Sequence, residues 1–408
     1  MTTADPQAID AVPPSNALGA IVRRRLEALK AGDVGTLPIV LGLIGIVAFF
    51  YWKNENFLSA GNFTNLMTQM AGVTTIAIGV VFVLLLGEID LSIGFVSGVA
   101  GVTAAKLVLP DANQTSAFVA IGAALLVGAA IGLLQGTIVA KIGVPSFVVT
   151  LAGLLAWQGV VQKSIGEQGV IVIEDSRIND LTNYFFSDRS GWILAALASL
   201  FFAANTIARL AGRRRAGIAA GNLVLPIVRV LAFIAVAFFV VGVTNRDRGF
   251  PFAGLLIVVL LVFWTYIATR TTFGRHVYAV GGNAEAARRA GINVARIRIL
   301  VFGISGMMAG LGGVVFASRL NSVDLNAGSG TILLDAIAAA VIGGTSLFGG
   351  RGRVVAALLG ALVIQSIANG IDLVGYSSAT KFIVTGAILL AAVTLDTLSR
   401  RRLAKSGR

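Results

Sequence analysis

Apolar blocks separated by short polar breaks extend along most of the chain. Twelve blocks are evident, at residues 37–52, 71–86, 92–109, 117–140, 146–161, 192–210, 222–243, 250–268, 299–317, 332–347, 354–368 and 382–395. A helix needs about 17–25 apolar residues to cross a bilayer, and several of these blocks lie near the lower limit. The pattern predicts an all-α polytopic membrane protein with about twelve transmembrane helices, ten being the alternative count.

The composition agrees with this pattern. Hydrophobic residues make up 56% of the 408 residues and charged residues only 12%, whereas soluble domains carry about 25% charged residues. A soluble chain of this length would have too little polar surface to cover so much apolar material. The composition therefore excludes a water-soluble protein.

The net charge of +13 raises the question of nucleic-acid binding. The basic residues, however, stand in the breaks between apolar blocks and not along one soluble face, which disfavours a nucleic-acid partner. Basic clusters favour the cytoplasmic side of a membrane, and their distribution predicts that both termini are cytoplasmic. The predicted inner clusters contain Arg213, Arg214, Arg215, Arg270, Arg275, Arg288, Arg289, Arg296, Arg298, Arg351 and Arg353.

The same breaks divide the chain into segments. We expect a cytoplasmic N-terminal tail at 1–36, a transmembrane domain at 37–398, and a basic cytoplasmic tail at 399–408. Inside the transmembrane domain, the longest breaks are expected to be a short amphipathic outer helix at 54–70, a polar outer loop at 162–191, and a cytoplasmic loop at 271–298.

The residue types present exclude several kinds of chemistry. The chain has no cysteine and one histidine, His276, so a Cys nucleophile, a thiolate metal site and a His-rich metal site are excluded. The Gly-rich run at 343–353 lacks the Lys-Ser/Thr pair that ends a phosphate-binding loop, so it predicts a flexible inner turn. We expect no catalytic residue, metal ion or cofactor in this chain.

Residues 87–94, Gly-Glu-Ile-Asp-Leu-Ser-Ile-Gly, place two carboxylates between the second and third apolar blocks. Carboxylates beside a span are costly against lipid, so they should face protein, water or solute. Gly87 and Gly94 would allow a helix to break there and line a cavity. Alternatively, Asp90 or Ser92 caps the following helix in a tight loop. The residues alone leave both interpretations open.

Residues 281–291 carry the start and stop signals of a short helix. Asn283 is a good N-cap, Glu285 suits the positive N-terminal end, and Gly291 supplies a left-handed stop. Glu285 can also pair with Arg288 or Arg289. The small alanines on this helix favour insertion into a groove of another protein, and the alternative is a solvated helix lying on the membrane.

Two further patterns favour ordinary helix packing. Glycines spaced four apart, at positions 128, 132 and 136 and at 306 and 310, allow helices to approach closely. The lone polar residues Gln135, Gln365, Asn369 and Arg229 favour interhelical hydrogen bonds over contact with a solute.

Three blocks resemble the permeases of ribose-, xylose- and galactoside-type sugar ABC importers. Residues 87–94 resemble their G-x-I-D-L-S-x-G signature, and 272–287 (TFGRHVYAVGGNAEAA) and 334–346 (LDAIAAAVIGGTS) resemble the same group. The blocks occur in the family's order within a similarity that covers residues 62–396. The Glu285-Ala286-Ala287 spacing to Gly291 matches the start of the EAA loop that docks into the ATPase, although the usual Ile-x-Leu-Pro ending is absent.

The resemblance implies a homodimer of permease subunits in the bacterial inner membrane. It also implies a cytoplasmic sugar ABC ATPase, which binds ATP and Mg²⁺, and an extracytoplasmic sugar-binding protein. The expected ATPase-coupling residues are Asn283, Glu285, Ala286, Ala287, Arg288 and Gly291, and the expected translocation pathway contains Glu88, Asp90, Ser92, Asp335 and Asn369.

Extra material at residues 205–247 resembles the longer xylose-type permeases, so a pentose such as D-xylose is the leading substrate. Alternatives within the class are ribose, galactose, a nucleoside or a signalling furanone. A secondary transporter with Glu88, Asp90 and Asp335 as an ionisable relay is a further alternative. A polytopic membrane enzyme is disfavoured, because the chain shows no close Asp/Glu/His cluster.

Overall fold

The computed structural model describes residues 37–110, 115–217 and 223–405. The helices in this part are α1 (Leu37–Lys53), α2 (Ala60–Leu85), α3 (Ile93–Leu107), α4 (Ala117–Thr137), α5 (Ser146–Ile165), α6 (Ser176–Asn183), α7 (Asp188–Arg215), α8 (Val224–Thr244), α9 (Phe252–Arg270), α10 (Thr272–Gly282), α11 (Ala284–Arg289), α12 (Val294–Leu320), α13 (Ile332–Ile342), α14 (Val355–Val374) and α15 (Ser378–Lys405). Two short antiparallel ribbons pair β1 (Val170–Val172) with β4 (Ser322–Asp324) and β2 (Phe185–Phe186) with β3 (Phe250–Pro251).

Twelve helices of the described part overlap the twelve predicted apolar blocks, and α6, α10 and α11 lie in the breaks between blocks. Eight helices of the described part, α2, α4, α5, α7, α8, α9, α12 and α14, are long and apolar enough to cross a membrane. Shorter apolar helices are α1, α3, α13 and the first half of α15. The all-α polytopic class is thereby confirmed, while the number of spans and the side of the termini stay predictions. The predicted tail at 1–36 lies outside the described residues, and α15 continues through Lys405 into the predicted C-terminal tail.

The chain divides into two compact units. The hairpin unit contains Trp192–Val240, most of α7 and α8, together with the end of α15. The core unit contains Thr36–Gly191 and Val241–Thr397, and therefore the other helices and both ribbons.

The core unit is built around α2 and α12. Glycines let α12 approach α4 closely, because a Cβ at Gly128 would collide with the carbonyl oxygen of Gly306, and one at Gly132 with that of Phe302. A Cβ at Gly310 would lie 2.6 Å from the carbonyl oxygen of Ala124. The spaced glycines therefore pack helices within one chain, as the sequence favours.

The start of α2 corrects one prediction. The sequence predicts a separate helix over 54–70, but a 3₁₀ turn at Glu55–Leu58 is followed by α2 from Ala60. Inside the bundle, Asn62 Nδ2 donates to Asn369 Oδ1 at 2.9 Å, and Asn369 Nδ2 donates to Gln69 Oε1 at 3.3 Å. These side-chain amides form hydrogen bonds with one another inside the bundle, so α2 can continue through its polar first turns. From the sequence alone, the same polar residues predict a separate surface helix.

The predicted outer loop at 162–191 also contains regular structure. It begins within α5 and holds β1, α6, β2 and the start of α7. Asp175 caps α6 by accepting hydrogen bonds from the amides of Arg177 and Ile178. The α6 end is fixed to α12, because Thr182 Oγ1 and Ser318 Oγ lie 2.8 Å apart.

Candidate functional site

The chain between α2 and α3 leaves helical geometry inside the packed core. Asp90 is 5% exposed, and its Oδ1 accepts a hydrogen bond from the Ser92 amide at 2.9 Å. Ser92 Oγ lies 2.7 Å from that oxygen and 3.0 Å from Gln135 Oε1. Ser305 Oγ donates to Asp90 Oδ2 at 3.3 Å. Ser305 is near the middle of the 27-residue α12, so Asp90 lies at mid-depth of the bundle.

The structure shows the helix break that the first interpretation expects. Ser92 is the N-cap residue of α3 but its side chain makes no capping hydrogen bond, and the Asp90 carboxylate accepts from the Ser92 amide. A cavity-lining role for the segment stays a prediction. The sequence leaves these as alternatives, because a broken helix and a capped helix start carry the same residues.

A second short helix, α13, begins next to the start of α3. A Cβ at Gly94 would lie 2.6 Å from the carbonyl oxygen of Gly328 and 3.4 Å from Leu333 Cβ. The 15 residues of α3 and the 11 of α13 extend about 22 and 16 Å at about 1.5 Å per residue. Both are shorter than a hydrocarbon core of about 30 Å, so we name α3 and α13 the half-helices.

The half-helices run to opposite ends of the bundle. The α3 helix follows α12 towards Leu320, since a Cβ at Gly101 would lie 3.2 Å from the carbonyl oxygen of Gly313. The α13 helix leads to the turn at residues 343–354, which contacts α10. Their N-terminal ends thus start from one region of the core, where the positive ends of two helix dipoles meet.

Asp335 occupies the first turn of α13 and is 4% exposed. Its Oδ1 has no hydrogen-bond partner among the residues that the structure describes. A buried carboxylate oxygen without a partner is costly, and an ionisable group at membrane depth marks a functional site by default. Asp90, in the break before α3, and Asp335, in the first turn of α13, are therefore the two candidate translocation residues.

A small cavity of about 90 Å³ lies beside the half-helices. It is lined by α3, α12, the β4 loop and the start of α13, with Ser97, Phe316, Asp324 and Ile332 among its walls. Ligand pockets measure about 300–1,000 Å³, so this cavity in a single chain is smaller than a typical ligand site.

The predicted coupling helix is α11, and its signals operate as expected. Asn283 Oδ1 accepts a hydrogen bond from the Ala286 amide at 2.9 Å. Glu285 pairs with Arg288 at 2.7 Å and with Arg289 at 3.2 Å. Gly291 has φ +83°, and the Ile292 amide donates to the Ala287 carbonyl, which closes the helix. Ala287 is buried against the rest of the chain, whereas Ala286, Arg288 and Arg289 are exposed.

Three glycine-containing segments, at residues 87–94, 281–291 and 343–353, meet at the end of α2. The Gly350 amide donates to the Leu85 carbonyl at 2.9 Å. Gly281 of α10 leaves no room for a Cβ, which would collide with the Leu85 carbonyl oxygen. A Cβ at Gly349 would lie 2.7 Å from the Gly281 carbonyl oxygen and 2.9 Å from the Gly87 nitrogen. We name this contact of Gly87, Gly281, Gly349 and Gly350 around Leu85 the glycine junction.

Two side-chain contacts reinforce the glycine junction. Arg298 Nε of α12 lies 3.1 Å from Glu88 Oε1, and this ion pair is only partly exposed. Tyr278 of α10 donates its hydroxyl to the Gly352 carbonyl at 2.9 Å. Burial raises the pKa of Tyr278 above its ordinary value, opposed by the charge of Arg353, so the hydroxyl remains protonated as a donor at neutral pH.

The structure brings some of the predicted site residues together and separates others. Asp90 and Ser92 are joined by hydrogen bonds before α3, whereas Asp335 lies in the first turn of α13 and Glu88 pairs with Arg298 at the junction. Asn369 joins α14 to α2 through hydrogen bonds, as the packing interpretation favours. Sequence reasoning misses Ser305 and the role of Arg298, because one is a small polar residue in a Gly-rich helix and the other is one of many inner arginines.

Comparisons with known proteins agree with this architecture. Residues 62–393 match the family model described as branched-chain amino acid transport system / permease component. The xylose transport system permease protein XylH of Escherichia coli (strain K12) is 35% identical over 375 residues, covering 92% of this chain and 94% of that protein. XylH of Haemophilus influenzae is 34% identical over 379 residues, covering 92% and 99%.

A ribose permease is similar to nearly the same extent. The ribose import permease protein RbsC of Escherichia coli (strain K12) is 33% identical over 359 residues, covering 88% of this chain and 92% of that protein. No solved structure matches the chain. The resemblance to xylose- and ribose-type permeases is confirmed, and with it the multi-pass inner-membrane location. The chain therefore belongs to the family of permease components typified by branched-chain amino acid transport systems.

Proposed function

We propose that this chain is the membrane-spanning permease subunit of an ATP-driven ABC importer for a monosaccharide, with a pentose such as D-xylose as the leading substrate. The similarity to xylose and ribose permeases over most of each chain supports the sugar class. The extra material at residues 205–247 contains the end of α7 and all of α8, and its resemblance to the longer xylose-type permeases supports xylose over ribose.

The proposed assembly contains two copies of this chain, a cytoplasmic ATPase that binds ATP and Mg²⁺, and an extracytoplasmic sugar-binding protein. The similarity to permeases of sugar importers supports the ATPase and the binding protein, and the second copy rests on the family resemblance. A second copy would allow a passage for the sugar to form where the two chains meet. The chain itself is a transport subunit and not an enzyme, with hydrolysis on the partner ATPase.

The observation that carries the proposal is the continuity from α11 to the half-helices. The α11 helix follows α10 directly, and Gly281 of α10 contacts the end of α2 and the turn after α13 at the glycine junction. These backbone contacts are the route by which movement of α11 would reach both half-helices. Coupling between an ATPase and a solute site requires such a link between two distinct sites.

We assign roles on this basis. Asn283, Glu285, Ala286, Ala287, Arg288 and Gly291 form and present the ATPase-docking helix. Asp90, Ser92 and Asp335 are assigned to the translocation pathway, because their carboxylates and hydroxyl suit the hydroxyl groups of a sugar. Glu88 holds the junction through Arg298, and a pathway role for Asn369 stays a prediction.

The mechanism is alternating access. The binding protein delivers the sugar to the outer side, and closure of the ATPase dimer moves α11. The half-helices then shift relative to each other, and the passage opens to the inner side. Each state must bind one partner better than the other for ATP to drive the change.

Labelled D-xylose uptake into proteoliposomes tests the proposal. The vesicles contain this chain, its ATPase and its binding protein, with ATP or a non-hydrolysable analogue inside, and unlabelled ribose and galactose serve as competitors. Uptake that requires hydrolysis and the ATPase supports the importer and the pentose. Uptake without ATP that collapses with an ionophore would identify a secondary transporter. No xylose uptake, with ATPase activity still stimulated by the binding protein, would keep the importer and replace the sugar.

A further inference from the structure

The hairpin unit presents apolar surface on both of its helices. Exposed side chains include Leu200 and Ile207 on α7 and Leu231 and Phe239 on α8. Stacked rings hold the helices antiparallel, with centroids 4.5 Å apart for Phe202–Phe233 and 5.7 Å apart for Trp192–Phe238. An apolar helix pair with its large side chains outward is suited to contact with lipid acyl chains.

One end of this hairpin carries a cluster of arginines. The cluster consists of Arg209, Arg213, Arg214 and Arg215 on α7 and Arg229 on α8, all exposed. From residue 189 to 246 the sequence contains no Asp, Glu or Lys. In the described ranges, none of the five arginines makes an ion pair. Within the part of the chain that the structure describes, the cluster is therefore a concentration of guanidinium groups without carboxylate partners.

Arg229 lies inside an apolar helix, and this position distinguishes the cluster from the basic residues that are common in cytoplasmic loops. Arg229 is the sixth residue of α8, so it lies about 7.5 Å along the helix from its start at about 1.5 Å per residue. The flanking residues Val228 and Leu231 are exposed and apolar. A guanidinium at such a position extends along the helix to the headgroup level. The preference for basic inner loops explains arginines at the tip, but not one inside an apolar span.

We propose that the arginine cluster of α7 and α8 binds the phosphate groups of anionic phospholipids in the inner leaflet. Guanidinium groups bind phosphate oxygens in a bidentate manner, which Lys cannot do. The neighbouring apolar side chains contact the acyl chains of the same lipid molecules. This combination fits a phospholipid better than a free phosphate ion, which has no apolar part. The site anchors the hairpin unit to the inner leaflet.

Native mass spectrometry of the purified full-length chain tests the site with phosphatidylglycerol and, for comparison, phosphatidylcholine. The test variant carries Arg213→Gln, Arg215→Gln and Arg229→Gln. The control variant loses the same charge elsewhere through Arg270→Gln, Arg275→Gln and Arg296→Gln, which replace exposed arginines of the core unit. A third variant replaces the three hairpin arginines with Lys, which keeps the charge.

We expect the Kd for phosphatidylglycerol to rise at least about tenfold in the test variant and to stay unchanged in the control. The Lys variant should bind between these limits, and phosphatidylcholine should bind weakly throughout. Unchanged binding in the test variant, or equal losses in the test and control variants, would overturn the proposal. Displacement of the lipid by millimolar inorganic phosphate would also overturn it, since the site would then be a general anion site. The Lys variant also detects misfolding, because a misfolded hairpin would lose binding in both hairpin variants.

Discussion

The amide of Gly350 donates a hydrogen bond to the carbonyl of Leu85 at 2.9 Å. Leu85 is the last residue of α2, and carbonyls at a helix end lack partners within their own helix. The turn that follows α13 therefore supplies a hydrogen-bond donor to the last carbonyl of α2. The two residues, Leu85 and Gly350, are 265 positions apart in the sequence. Because Gly281 packs on the same carbonyl, three distant segments share one contact point.

Exchanging the charges of Glu88 and Arg298 tests the ion pair at the junction. Glu88→Arg alone places two cations side by side, so we expect uptake to fall about tenfold, within the usual range of coupling energies. Arg298→Glu should act similarly. The double exchange should restore a substantial part of the uptake, because it restores an ion pair.

The readout is labelled sugar uptake in proteoliposomes at equal protein content. If the double variant transports no better than the single ones, the two residues act independently and the pair has no role in coupling.

Gly128→Ala should destabilise the bundle. The added methyl group would meet the Gly306 carbonyl, and overpacking of a filled interior costs about 1–3 kcal/mol. Gly122→Ala, on the same helix, is the matched control, since a Cβ there has no atom within 4 Å. Thermal unfolding in detergent should show a lower Tm for the first variant and an unchanged Tm for the second. Equal Tm values would mean that α4 and α12 adjust without cost.

Asn369→Ala separates a packing role from a solute-binding role. Removing this amide takes away the Asn369 hydrogen bonds of Gln69 and Asn62, although Asn62 Nδ2 still donates to the Phe57 carbonyl, and losing a buried polar partner costs about 1–3 kcal/mol. We expect a lower Tm with an unchanged apparent KM for the sugar. A raised KM at unchanged Tm would instead place Asn369 in the translocation pathway.

Gly291→Ala tests the end of the coupling helix. Gly291 has φ +83°, a left-handed conformation that costs a non-glycine residue about 1–2 kcal/mol. Gly143→Ala is the control, because Gly143 has φ +84° and equally open surroundings. Both variants should lose similar stability, measured as Tm.

Only the Gly291 variant should import less sugar per ATP hydrolysed, since only Gly291 ends α11. Equal import ratios for the two variants would show that the geometry of α11 does not matter for coupling.

The sequence predicts the local features well because their signals are local. The apolar blocks give the positions of the long helices, and the cap at Asn283 and the stop at Gly291 delimit α11 as expected. The spaced glycines of α4 and α12 also indicate close packing correctly. Each of these features depends on residues within a few turns of one another.

The sequence does not predict features that depend on long-range packing. Nothing local indicates that Gly281 and Gly350 meet at Leu85, or that α3 and α13 begin side by side. The polar stretch at the start of α2 is misassigned for the same reason, because Asn369, the partner of Asn62, is 307 residues away. For the site, Asp90 and Asp335 are indicated by their charge inside apolar surroundings, whereas Ser305 is a common residue type with no such signal.

The central claim is that α10 transmits the movement of the ATPase-docking helix through the glycine junction. Gly281→Ala against Gly282→Ala tests it most directly, because a Cβ at Gly281 collides with the Leu85 carbonyl while one at Gly282 meets nothing within 4 Å. The measurement is the number of sugar molecules imported per ATP hydrolysed in proteoliposomes, with membrane insertion and ATPase activity recorded for both variants. We predict that Gly281→Ala retains insertion and ATPase activity but lowers this ratio about tenfold, while Gly282→Ala keeps the wild-type ratio. Equal ratios in the two variants would contradict the account.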